Sequence, residues 1–123
     1  APDSVPERFR GRTFYRHNPT VTLMRTTAEE NARLGRIIAE KANAARGPVS
    51  IVLPLRGVSA IDAAGQPFYN PEADAALFEA LRRHANNKVK IIEMDAHIND
   101  PEFAARMVAE LLSMLNRSVD VIP

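Results

Sequence analysis

Val49 to Ser59 reads VSIVLPLRGVS, a run that is apolar almost without a break until it reaches an arginine and a glycine. A half-exposed strand alternates apolar and polar residues. A continuous apolar run of this length is the pattern of a strand covered on both faces, as in a parallel sheet between layers of helices. Pro54 has no amide hydrogen to give to a ladder, so pairing is expected to stop there and the chain to peel away. The segment that peels away carries Arg56, Gly57 and Ser59, then Asp62, Gly65, Phe68 and Tyr69. A connection of that length without regular structure is usually a binding loop or is packed on a partner. Phe68 and Tyr69 suit stacking on a base, or stapling the loop to the helix that follows.

Working outward toward the C-terminus, Asn70-Pro71-Glu72 is a helix start: Asn caps, Pro fits the first turn, and Glu complements the dipole. Leu77, Phe78, Leu81 and Ala85 supply the buried stripe of this helix, and Asn86-Asn87 end it. Val89 to Met94, VKIIEM, is a strand, and Asp95 to Asp100, DAHIND, its exit. Asp100-Pro101-Glu102 repeats the helix-start device, and Phe103, Met107, Leu111, Met114 and Leu115 line a third helix.

Toward the N-terminus, Thr20 to Arg25, TVTLMR, is rich in β-branched residues and predicts a strand. Thr27 and Glu30 form a capping box, with Thr26 and Glu29 as an alternative frame. Leu34, Ile37, Ile38, Lys41, Ala42 and Ala45 follow at helical spacing, and Gly47-Pro48 stops the helix. Pro2, Pro6 and Pro19 discourage regular structure over residues 1–19, which read as an extended arm pinned by Phe9, Phe14 and Tyr15. After this arm the order is β-α-β-α-β-α. Residues 20–123 are therefore expected to form a three-layer α/β/α subdomain, Rossmann-like, with a mainly parallel sheet.

Three strands make a narrow sheet, and an unpaired edge predicts self-association as a homo-oligomer or completion by further chain. The chain opens at Ala1, without an initiator methionine, so it is either processed or a piece of something longer, and a piece is the expectation. Composition narrows the partners. A net charge of +1 argues against bulk electrostatic binding to nucleic acid or membrane, despite arginines interleaved with aromatics in the arm. No apolar run is long enough to span a bilayer. With no cysteine there is no disulfide framework and no thiolate chemistry, and a cytoplasmic location is expected.

In a parallel α/β sheet, ligands collect beyond the carboxyl ends of the strands. Three polar exits fall there: Arg25-Thr26-Thr27, Arg56-Gly57-Val58-Ser59, and Asp95 to Asp100. Arg56, Gly57 and Ser59 suit an anion, since glycine lets the backbone approach, serine offers a hydroxyl and arginine a two-pronged fork. The alternative for this stretch is a turn whose arginine pairs with a nearby aspartate. Thr26 and Thr27 at a helix start would add amide donors, with Arg25 beside them. His97 and Asn99 complete the ligand-binding set, and Asp95 with His97 are the candidates for acid–base work. The Asp-x-His spacing also fits a metal, but the companion motifs are missing and no metal is predicted. Neither a P-loop nor GxGxxG is present.

Three segments carry a family resemblance: RHNPTVTLMRTTAEEN (Arg16 to Asn31), PLRGVSAIDAAGQPFYNPEADAALFEAL (Pro54 to Leu81) and EMDAHINDPEFA (Glu93 to Ala104). They resemble the uncharacterised bacterial and fungal family related to the N-terminal region of the tomato mosaic virus resistance protein, often labelled ATP-binding. The resemblance implies the C-terminal subdomain of a longer two-subdomain α/β protein whose N-terminal subdomain is a partner. It also implies ATP as the ligand and, in the plant case, inhibition of viral RNA replication through the viral replication protein. The first expectation is thus a nucleotide or anionic small-molecule binding subdomain. The alternatives are an enzyme acting on a small phosphorylated or carboxylated metabolite through Asp95 and His97, and an interaction module without a ligand.

Overall fold

The computed structural model describes residues 1–120, and the side chains of residues 1–116. After two single turns at Pro2–Ser4 and Glu7–Phe9 come strands β1 (Phe14–Asn18) and β2 (Val21–Met24) and helix α1 (Ala28–Asn43). Strand β3 (Val49–Pro54), helix α2 (Pro71–His84), strand β4 (Val89–Met94) and helix α3 (Pro101–Asp120) follow.

The strands form two pairs: β1 with β2 antiparallel, and β3 with β4 parallel. TVTLMR is therefore a strand, but it does not join the parallel sheet. It folds back on the segment read as an extended arm, so Phe14–Asn18 of the expected irregular region is one strand of a hairpin. The reason is local. Asn18 Oδ1 accepts from the amides of Thr20 (2.9 Å) and Val21 (2.8 Å), closing a turn that Pro19 pre-sets. The hairpin then lengthens through the Arg25 amide on Thr13 O (2.9 Å).

The parallel pair runs in register from Val49↔Val89 to Pro54↔Met94, so Pro54 does not break the pairing as expected. Leu55 donates its amide to Met94 O (3.0 Å). Parallel strands alternate their bonding direction, so Ile51 and Leu53 also turn toward β4, while Ser50, Val52 and Pro54 turn away. The missing hydrogen of Pro54 falls on the outer edge, where it removes no bond to β4.

Ile51 and Leu53 pack with Ala39, Leu77, Phe78, Leu81 and Ile91 in the core. On the other face of β3, Ser50 and Val52 line a groove with α3. Glu110 of α3 receives Lys90 Nζ (3.1 Å) and Ser50 Oγ (3.3 Å).

Helix α1 is capped as read, with Glu30 N on Thr27 Oγ1 (3.1 Å) and Thr27 N on Glu30 Oε1 (2.9 Å). The face it buries is not the expected one. Asn31, Gly35 and Ala39 are buried, while Leu34, Ile37 and Ile38 are more than 40% exposed. The small face wins because it lets α1 approach α2 closely. A Cβ on Gly35 would lie 2.7 Å from both Ala80 Cβ and Leu77 O. Asn31 Nδ2 then reaches Ala73 O (2.7 Å) at one end of the seam, and Asn43 Nδ2 reaches His84 O (2.9 Å) at the other.

On α3, Phe103 is buried, but Met107, Leu111 and Leu115 of the expected stripe are about half exposed, as are Val108 and Leu112. No helix among the described residues is long and apolar enough to cross a membrane.

Candidate functional site

The Arg56 and Asp95 exits follow the two parallel strands and share one end of that pair, while the exit of the separate hairpin is brought beside them by the contacts of Arg25 with Asp62 and Asp74. From β4, His97 Nε2 donates to Ser59 O (2.8 Å), and the Ile98 amide donates to Gly57 O (3.0 Å). Arg56 N donates to Ala96 O (3.1 Å). Gly57 has φ +137°, and a Cβ there would lie 1.9 Å from Asp62 O and 2.8 Å from His97 Cδ2. Only glycine fits that crossing.

The organising residue of the loop is Asp62, which is fully buried. Its carboxylate accepts from the Val58 amide (3.1 Å) and the Asn70 amide (3.3 Å), so it pins both ends of the loop. The remaining charge is met by Arg25, arriving from the end of β2. Its Nη2 lies 3.2 Å from Asp62 Oδ2 and 2.6 Å from Asp74 Oδ1, and its Nε donates to Phe68 O (3.0 Å). Phe68 in turn stands edge-on to Tyr15 of β1, with centroids 6.2 Å apart. Two carboxylates share one guanidinium here. Burial, followed by the hydrogen bond to Asp62, pushes the Asp74 carboxyl up to about 6, against the pull of Arg25.

Arg25 is therefore a buried tie, and Thr26 Oγ1 accepts its Nη1 (3.3 Å). Thr27 caps α1, and Asn70 Oδ1 caps α2 through the Ala73 amide (3.0 Å). Between these two helix starts lies a polar cavity of about 260 Å³, lined among others by Arg12, Arg25, Thr26, Thr27, Asn70 and Glu72. The Ala28, Glu29 and Glu72 amides of these first turns have no intrahelical acceptor.

Arg56 lies in the open. Its side chain is 65% exposed and grips Asp95 with two bonds, Nε–Oδ1 at 2.7 Å and Nη2–Oδ2 at 3.0 Å. The pair holds the Asp95 carboxyl below the usual carboxylate range and raises the arginine. Beside it lies a second cavity of about 260 Å³, lined by Leu55, Arg56, Ala64, Tyr69, Pro71 and Asp74. The Tyr69 ring is half exposed there.

His97 is committed at both ring nitrogens. Nε2 faces a carbonyl that can only accept, and Nδ1 accepts the Asn99 amide (3.1 Å), which sets the neutral Nε2–H tautomer. Proton transfer through His97 requires giving up one of these bonds. Its own amide donates to Asp100 Oδ2 (2.9 Å). Among the described residues no cluster of three or more His, Asp or Glu side chains is placed to hold a metal ion.

The structure thus brings Arg56, Gly57, Ser59, Asp95, His97 and Asn99 into one rim. Arg25, Thr26 and Thr27 stand at the neighbouring helix starts, joined to that rim through Asp62. Asp62 and Asp74 were not among the expected site residues. An aspartate inside a long loop and one in the first turn of a helix look solvated in sequence, and only their shared arginine distinguishes them.

A mixed α/β chain with such a rim defines a class of architecture, not an activity. Residues 1–115 match the C-terminal domain of the uncharacterised protein family UPF0261, and the chain belongs to that family. It is 50% identical to a UPF0261 protein of Clostridium tetani over 116 residues, covering 94% of this chain and 29% of that protein. It is 52% identical to a UPF0261 protein of Rhizobium meliloti over 118 residues, covering 94% and 30%. The ToMV resistance protein Tm-1(GCR237) of Solanum lycopersicum is 40% identical over 117 residues, 94% of this chain and 16% of that protein. The susceptible form tm-1(GCR26) is also 40% identical, so this segment is equally like both. The chain spans less than a third of the length of these relatives.

Proposed function

We propose that this chain forms one wall of a binding site for an anionic small molecule, with ATP the ligand suggested by the family resemblance, and that further chain completes the site. In this reading β3 and β4 belong to a wider, Rossmann-like three-layer sheet, which places ligands beyond the strand ends. The observation that carries the reading is Arg56, held in fork geometry by Asp95 at an open cavity beside the half-exposed ring of Tyr69. A guanidinium in that setting suits a phosphate, and the ring suits a base. The polar cavity between the two helix starts adds amide donors to the same end of the molecule.

Asp95 is the built-in competitor. An arriving anion takes over the fork or shares it, so removal of the carboxylate favours binding. Calorimetric titration of the full-length protein with ATP tests this. Arg56→Ala is expected to weaken binding about tenfold or more, the loss of a charge-assisted bidentate contact, and Asp95→Asn to strengthen it. Unchanged affinity in both variants removes the assignment.

A further inference from the structure

The parallel pair β3–β4 has two outer edges, and they differ in kind. On β4 the strand carries Lys90 and Glu93, and Glu93 is paired with Arg82 of α2. Charged residues of this sort guard an edge against further pairing. On β3 the strand is VSIVLP, without a charge. Its outward amides, at Ser50 and Val52, meet no strand among the described residues.

The face of β3 that carries those two side chains is also incompletely covered. Between it and α3 runs a groove of about 310 Å³, lined by Ser50, Val52, Phe103, Met107, Leu111 and Met114 among others. Beyond the groove α3 shows Val108, Leu112 and Leu115, each more than 50% exposed. Leu34, Ile37 and Ile38 of α1 are left open as well. An unguarded edge and an apolar groove thus meet along one strand. Parallel strands are stable almost only when both faces are covered, and a sheet of two is narrow for that.

We propose that the free edge of β3 seats a further strand, running parallel to it, contributed by another part of the same polypeptide and covered by the apolar side of α3. The occupant follows from two observations. The relatives carry more than three times this length of chain, and the match is to a C-terminal domain, so their additional chain lies mostly before it. A second copy related by a two-fold axis brings the same edge against itself antiparallel, whereas a strand linked by a crossover arrives parallel. The proposal rests on the reading of this chain as part of a longer protein, but not on the ligand.

Hydrogen exchange of the full-length protein, without nucleotide and with its oligomeric state measured by light scattering, tests the assignment. Ser50 and Val52 amides are expected to exchange at least ~100-fold more slowly than unprotected amides, and within about tenfold of Ile51 and Leu53. Fast exchange at Ser50 and Val52 beside slow exchange at Ile51 and Leu53 overturns the proposal, because the edge is then open. Protection that disappears on dilution to monomer also overturns it, in favour of a second copy. Failure of ATP to bind leaves this result untouched, whereas an open β3 edge removes the wider sheet from the binding reading and leaves Arg56 and Tyr69 alone to carry it.

Discussion

The loop from Leu55 to Asn70 and the outer side of α3 are opposite ways of ending a surface. The loop is polar, and its bonds close within this chain: Asp62 holds both its ends, and Arg25 neutralises Asp62 with Asp74. The α3 side is apolar and stays open, with Met107, Val108, Leu111, Leu112 and Leu115 all about half exposed. A buried charge has to be satisfied where it sits, because an unpaired one is costly. An apolar face has no such local demand and can wait for whatever covers it. The contrast separates a surface whose demands are met within the chain from one that is still exposed.

Breaking the closed side should have the largest effect. Arg25→Ala leaves two carboxylates buried without their cation and is expected to cost about 3–5 kcal/mol, read as a lowered denaturant midpoint. Gly57→Ala forces a side chain into the Asp62 carbonyl at a backbone angle glycine favours, and a loss of about 3 kcal/mol or more is expected in the same measurement. A wild-type midpoint in either variant would mean that the loop is not the closed unit described.

The Asp62–Asp74 pair can be sharpened by pH. Asp74 has its folded value raised to about 6 from an ordinary 3.8, so the folded state holds that proton more tightly than the unfolded chain. Its contribution is fully present below about 4 and is lost as pH rises through 6. Thermal melts of Asp74→Asn should therefore lack the part of the decline between pH 4 and 6 that this group causes in the parent. Identical pH slopes would place the proton elsewhere.

Gly35→Ala probes the closest packing, where α1 meets α2. The added methyl has 2.7 Å to Ala80 Cβ and to a backbone oxygen, and about 1–3 kcal/mol of destabilisation is expected. The smallest effect belongs to the exposed rim. Arg56→Ala should leave the unfolding midpoint unchanged, since the Asp95 pair lies in solvent. Its effect should appear only in ligand titration. A large stability loss there would turn the rim into a structural element and weaken the binding reading.

Local signals were legible where a residue acts on its own neighbours. Thr27 with Glu30, Asn70 with Pro71, and the strands around Ile51 and Ile91 all follow from short-range chemistry. Of the hairpin only β2 was legible, because residues 1–19 read as an arm and TVTLMR alone does not say which strand it pairs with. The buried face of α1 was not legible. Leu34, Ile37 and Ile38 and the set Asn31, Gly35 and Ala39 both recur at helical spacing, and hydrophobicity favours the wrong one. That the Arg56 and Asp95 exits lie side by side follows from the parallel pairing of β3 with β4. The roles inside the rim were not legible, since Arg25 resembles a ligand contact until its two distant aspartates are seen.

By itself, then, the sequence determined the type and order of the elements from Thr20 onward and the caps of α1 and α2. Those properties depend on neighbouring residues and on the alternation of strand and helix. Tertiary structure alone decided that Arg25 is buried between Asp62 and Asp74 and that α1 turns its small residues inward. It also decided that the missing hydrogen of Pro54 faces the outer edge of β3. Each of these depends on groups far apart in the chain meeting at atomic distances, which neither composition nor spacing encodes.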